Sequence, residues 1–197
     1  KGYGFGINNR KKIYPASIVK LVYAFAAYYW IEKGRILLTE EISDAARKML
    51  FYSSNNATSF LVDILTGTTS GPCIEGQSWK NWQYQRAIIN DWLHNLNWEE
   101  LKGINCCQKT WDDEPFGREK EFYGYDNNNR NSMTTDSVAR VFEEIMIHID
   151  YQKHDLNLRG FLKRNLNKVV LKKDSLNQID GFLGEGLPES TNLWSKA

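Results

Sequence analysis

The chain has 197 residues, with 25 basic and 24 acidic side chains and a formal net charge of +1. That balance leaves no global field to gather nucleic acid or an anionic membrane surface. Hydrophobic and charged fractions of 42% and 25% are those of a globular protein with one core, built as one domain or two closely packed subdomains.

Residues 3–7 alternate aromatic or aliphatic side chains with Gly and read as a strand. Asn8 to Lys12 reads as a turn, and Pro15 suits the entry to a helix. Ser17 to Glu32, closed by Gly34, is the strongest predicted helix and is apolar on nearly every face, so it should lie buried at the centre. Its apolar stretch from Ile18 to Ile31 carries Lys20 and is too short to cross a bilayer of roughly 30 Å.

Helices are predicted over Glu40 to Leu50 with Thr39 as cap, and over Asn56 to Thr66 with Asn55 near its start and Gly67 after its end. Thr68 to Gln77 reads as loop, and Ala87 to Leu96 as a helix with Ile88, Ile89, Trp92, Leu93 and Leu96 as its stripe. Lys109 to Ser132 lacks periodicity, and loops that long usually carry function or are disordered. Thr135 opens a helix to about His148, another covers Arg159 to Asn165, a polar stretch follows, and Leu193 with Trp194 starts a strand. Seven Trp and ten Tyr predict a large aromatic core or an aromatic-walled cleft.

Of the three cysteines, Cys73 could bridge Cys106 or Cys107, leaving one thiol over. His94, His148 and His154 have no ligand spacing, so no metal is expected, and no Gly-rich phosphate loop is present. The chain opens on Lys1 without the leader of a secretory signal, which export would have removed.

Three segments could do chemistry. Ser17 and Lys20, three apart at a helix start, share one face with Cβ atoms about 5–6 Å apart. A serine hydroxyl needs a base, and a lysine in apolar surroundings loses hydration and becomes able to accept a proton. The Ser17 N–H precedes the intrahelical ladder and could bind an oxyanion. Alone this pattern is weak: S-x-x-K should arise by chance about once in a chain of this size, and a helix cap beside a snorkelling lysine would leave the same residues. Ser53 and Asn55, two apart before a helix, could both point into one cleft or simply form a capping cluster. Lys196, on a strand begun after the Pro188 turn, could anchor an anionic group or be a solvated strand end.

In chain order these segments resemble the S-x-x-K, S-D-N and K-T-G set of penicillin-recognising active-site-serine enzymes, in particular class A β-lactamases. Ser17 to Lys20 matches the first, Ser53-Ser54-Asn55 the second, and Ser195-Lys196-Ala197 the start of the third, preceded by Leu187-Pro188. Residues 130–134 are similar to the segment that closes the family's omega loop. The likeness runs through nearly the whole chain.

The resemblance implies an α+β fold of the serine β-lactamase and DD-peptidase type: a helical subdomain against an antiparallel sheet flanked by helices, in a single catalytic domain over residues 1–197. Ser17 would attack a β-lactam carbonyl and become acylated, Lys20 would take its proton, and Ser53 would relay a proton to the leaving nitrogen. Asn55 would bind the substrate's amide, Lys196 would attract its carboxylate and support Ser53, and Ser195 would be a further substrate-binding residue. Glu119 and Glu121 are the candidates for the omega-loop glutamate that activates the deacylating water, with solvated loop charge as their plainer reading. Ser54 stands where the family has aspartate and Ala197 where it has a hydroxyl. The family also has elements before the segment matching Lys1 and after the one matching Ala197, so the sheet is expected to be incomplete here. No cofactor is implied. The partner would be a β-lactam or a peptidoglycan peptide, with no nucleic acid and no membrane span, and the protein would be a monomer exported to the bacterial periplasm or beyond. A D-alanyl-D-alanine peptidase or transpeptidase, and a non-catalytic relative, are the alternatives.

Overall fold

The computed structural model describes residues 6–179 and 181–196. The expected strand over residues 3–7 lies mostly outside them, and Gly6 and Ile7 are irregular. The expectations placed on Ala197 lie outside them as well.

The chain turns into α1 (Lys20–Glu32) through a 3-10 turn at Ala16–Val19. There follow α2 (Glu40–Phe51), α3 (Asn55–Thr66), α4 (Gly76–Arg86), α5 (Ile88–Asn95), α6 (Gly117–Tyr123), α7 (Thr135–Glu143), α8 (Leu158–Leu162) and α9 (Lys168–Leu171). Strands β1 (Lys163–Arg164) and β2 (Leu193–Trp194) pair antiparallel, with Lys163 opposite Trp194 and Arg164 opposite Leu193. The architecture is helix-rich α+β; among the described residues the sheet consists of this one pairing.

α1 is central because it has no polar stripe. Its residues from Lys20 to Tyr28, and Trp30, are all buried, so every face needs a neighbour. α2 supplies Ile42, Ala45, Ala46, Met49 and Leu50 at helical spacing, α3 supplies Leu61, Val62 and Leu65, and α5, α7 and α8 close the same core. Burying each large side chain such as Leu61, Ile89, Leu93 or Ile145 contributes about 1.5–3 kcal/mol. The aromatic residues fill this core: Phe25 and Trp30 each lie 5.0 Å from Trp92, ring centre to ring centre. A second, smaller cluster packs Trp79, Trp82 and Phe122.

The ends of the helices follow cap chemistry. Thr39 Oγ1 accepts from the Ile42 N–H at 3.4 Å, Ser54 Oγ from Ala57 at 3.2 Å, and Thr134 and Ser137 form a reciprocal capping box. α3 stops at Gly67, whose φ of 63° is left-handed.

Several expectations are corrected. α3 begins one residue earlier than expected, at Asn55, with Ser54 as its cap. α4 begins inside the expected loop, and the helix expected over Arg159 to Asn165 stops at Leu162 and becomes β1. α7 passes into a π-turn at Glu144–His148. The aperiodic stretch after Lys109 contains α6 and is held by polar side chains. Asn131 binds the backbone N–H groups of Cys107 and Gln108 at 3.1 and 2.9 Å, and Tyr23 donates to the Gln108 carbonyl. All three cysteines are free, Cys73 exposed and Cys106 and Cys107 buried.

Candidate active site

Ser17 lies in the 3-10 turn, half-buried, with its neighbour Ala16 at φ 45°. A non-glycine residue in that left-handed region costs about 1–3 kcal/mol, which surrounding packing must offset. The turn's first bond runs from the Ile18 N–H to the Pro15 carbonyl at 3.0 Å, so the Ser17 N–H lies ahead of the ladder.

One turn on, Lys20 has no exposed surface. Its ammonium donates to Ser17 Oγ at 3.1 Å, Asn55 Oδ1 at 2.7 Å, the Ser53 carbonyl at 2.5 Å and Ser53 Oγ at 3.2 Å. Ser53 can offer both oxygens because its backbone is left-handed, at φ 59°, in the tight link between α2 and α3. Asn55 at the start of α3 completes the cradle and donates from Nδ2 to Asp112 Oδ1 at 2.7 Å. Lys196, just past β2, donates to Ser53 Oγ at 2.7 Å and to Gln178 Oε1 at 3.5 Å. Ser17, Lys20, Ser53, Asn55 and Lys196, five of the residues singled out from sequence, therefore meet at one place.

The electrostatics follow from this crowding. Burial pushes the Lys20 amine down from 10.5 to about 8, with the Asp112 carboxylate pulling the other way. Burial, with the cations Lys20 and Arg164 acting in the same direction, lowers Lys196 to about 7. Poorly hydrated ammonium groups lose protons readily. A neutral Lys20 could accept the Ser17 hydroxyl proton, and the Ser53 hydroxyl joins the two amines so that a proton could pass between them.

No known family model, curated protein or solved structure matches this chain.

Three expected site residues stand elsewhere. Ser195, just past β2, is engaged by Arg164: its Oγ and carbonyl accept from Arg164 Nε, each at 3.2 Å. Glu119 is neither a solvated charge nor a partner of Lys20. It is fully buried, and its Oε1 accepts from Arg86 at 2.7 Å and Ser70 at 2.8 Å, with Lys109 Nζ 3.7 Å away. Buried carboxylates need cations, and Asp63 completes this group at 3.1 Å from Arg86 and 2.7 Å from Lys109. Glu121 is exposed on α6.

Sequence reasoning missed Asp112 and Arg164. The run Asp112-Asp113-Glu114 inside an aperiodic loop was the available signal for the first. The second had none, since its partners are backbone carbonyls far along the chain. Two cavities adjoin these segments. One of about 410 Å³ is lined by Gln178, Phe182, Leu193, Ser195 and Lys196, the other of about 440 Å³ by Pro15, Ile18 and Met133 among others. Among the described residues no group of three or more His, Cys, Asp or Glu side chains could hold a metal ion, and no helix is long and apolar enough to cross a membrane.

Proposed function

We propose that this chain is a serine acyl-transfer enzyme of the β-lactamase type, in which Ser17 opens a β-lactam ring through an acyl-enzyme. The observation that carries the reading is the position of Lys20 Nζ, within hydrogen-bond reach of both Ser17 Oγ and Ser53 Oγ. Neutral Lys20 takes the proton as Ser17 Oγ bonds to the lactam carbonyl carbon. The Ser17 N–H faces the developing oxyanion. The carbon–nitrogen bond then breaks, the nitrogen takes a proton from the Ser53 hydroxyl, and the Lys20 or Lys196 ammonium restores that proton. Asn55 binds the substrate's amide and Lys196, when protonated, its carboxylate. Water then adds to the ester and frees Ser17. Of the acidic residues on the 109–123 segment, Asp112 is the one that bears on Lys20 and Asn55, so the deacylating role assigned by resemblance to Glu119 or Glu121 passes to Asp112.

The finer fold belongs to the same proposal: a helical subdomain around α1 packed on an antiparallel sheet of which β1 and β2 are a part. So does the setting, the bacterial envelope or the outside of the cell, where lactams and peptidoglycan peptides occur. The second reading is a D-alanyl-D-alanine peptidase, which acylates alike but frees β-lactams slowly. The engagement of Glu119 by Arg86 and Lys109, away from Lys20, favours it.

Intact mass after exposure to a penicillin tests acylation. A single adduct, lost in Ser17→Ala, is expected; labelling that survives Ser17→Ala refutes the nucleophile, and no adduct at all supports a non-catalytic binding protein. Turnover of a chromogenic cephalosporin separates the first two readings: sustained release marks the hydrolase, one stoichiometric burst the peptidase.

A further inference from the structure

Arg164 is 5% exposed and belongs to β1. A buried guanidinium must place its donors on acceptors, because unpaired buried charge is strongly destabilising. Nη1 donates to the Phe51 carbonyl at 2.8 Å and Nη2 to the Leu50 carbonyl at 2.9 Å, the last carbonyls of α2. Nη2 also donates to the Ser195 carbonyl at 2.8 Å, and Nε to that carbonyl and to Ser195 Oγ, each at 3.2 Å. The guanidinium lies 4.9 Å from the centre of the Phe51 ring. A cation at the carbonyl end of a helix is also favoured by the helix dipole.

These bonds join two pieces of chain that otherwise come from distant elements. Ser53 follows Phe51 by two residues, and Lys196 follows Ser195 directly. Their side chains make the 2.7 Å contact at the site. The Ser195 N–H bond to the Leu162 carbonyl at 3.0 Å holds Ser195 to the end of α8, not to α2.

We propose that Arg164 is a positioning residue for acyl transfer: its forked bonds fix the carbonyl end of α2 against Ser195 and thereby hold Lys196 on the Ser53 hydroxyl. This rests on the reading of the site as an acyl-transfer centre. The fork is what matters, since one planar group reaches three backbone carbonyls from two directions. A lysine keeps the cation but presents one ammonium and loses the planar geometry. The Arg164 charge, next after burial and Lys20, also helps keep Lys196 poorly protonated.

The test compares Arg164→Lys with the unsubstituted chain and with Leu93→Ala, a core change in α5 that lowers stability away from α8, β1 and β2. The maximal rate of Ser17 acylation by a penicillin is followed by quenched intact mass. A loss of tenfold or more is expected in Arg164→Lys, with Leu93→Ala acylating at the parent rate. A smaller loss overturns the proposal, as does an equal loss in Leu93→Ala. Failure of Arg164→Lys to fold also overturns it, because Arg164 is then a folding element. If the unsubstituted chain forms no adduct, the acyl-transfer reading fails instead, and a crystal structure of Arg164→Lys decides the clamp. Displacement of Lys196 from Ser53 Oγ sustains it, and an unchanged contact overturns it.

Discussion

Raising the pH from 7 to 9 should accelerate acylation of Ser17 about tenfold. Only the neutral amine of Lys20 can accept the hydroxyl proton, and its pKa is lowered to about 8. A base with that value is neutral in roughly one molecule in ten at pH 7 and in roughly nine in ten at pH 9. The rate should climb with a midpoint near 8 and then level off. Quenched intact mass at saturating penicillin, from pH 6.5 to 9.5, reads the acylation step itself, with the substrate carboxylate already bound. Lys20→Arg keeps the charge and removes the titration, so its rate should fall by about 10² to 10⁴, the usual worth of a general base, and lose the pH dependence. A flat profile in the unsubstituted chain, or a midpoint that persists in Lys20→Arg, would refute the assignment of Lys20 as base. The same shift acts on stability. The folded chain gives up the Lys20 proton near 8 and the unfolded chain near 10.5. Between those values the unfolded state binds more protons, so stability rises with pH across that window, and the buried ammonium costs about 3 kcal/mol below it. Urea unfolding at pH 7.5 and 9.5 should read about 2 kcal/mol of that gain, since the upper pH stops short of 10.5.

Asp112→Asn should move the acylation midpoint to lower pH, because the carboxylate now raises the Lys20 value against the effect of burial; it should also slow ester release, read as a longer-lived adduct. Glu119→Gln should lower unfolding stability by about 3–5 kcal/mol in urea melts, since it leaves Arg86 and Lys109 buried with one anion fewer. Protein that still folds should acylate normally. Gly117→Ala should lower the melting temperature: Gly117 has φ 53° and an added Cβ would run into the Gly71 carbonyl oxygen. An unchanged melting curve would mean that the 71–72 turn yields easily.

Elements whose cause is local were legible in the sequence. α1 announced itself by its unbroken apolar run, α2 by its stripe and Thr39, and the end of α3 by Gly67. α4 was not, because its sequence is polar and it buries only Trp82 and Arg86. A helix that contributes two residues to the interior leaves no periodic trace. The site divides the same way. Ser17 and Lys20 are related by helical spacing, which any reader of the sequence can measure. The meeting of Ser53 with Lys196, 143 residues apart, was suggested by motif order alone. Glu119 was misjudged because its neutralising cation is Arg86, and no short-range pattern joins those positions. Arg164 could not be found at all, since backbone carbonyls carry no sequence signature.

The all-round burial of α1 bears on how the molecule breathes. Amide protons from Val22 to Tyr28 belong to an unbroken run of buried residues, so they should swap with deuterium only when the whole chain opens. Ser17 and Lys20 sit at the mouth of that slowest segment, and thermal fluctuations of the peripheral loops pass around them.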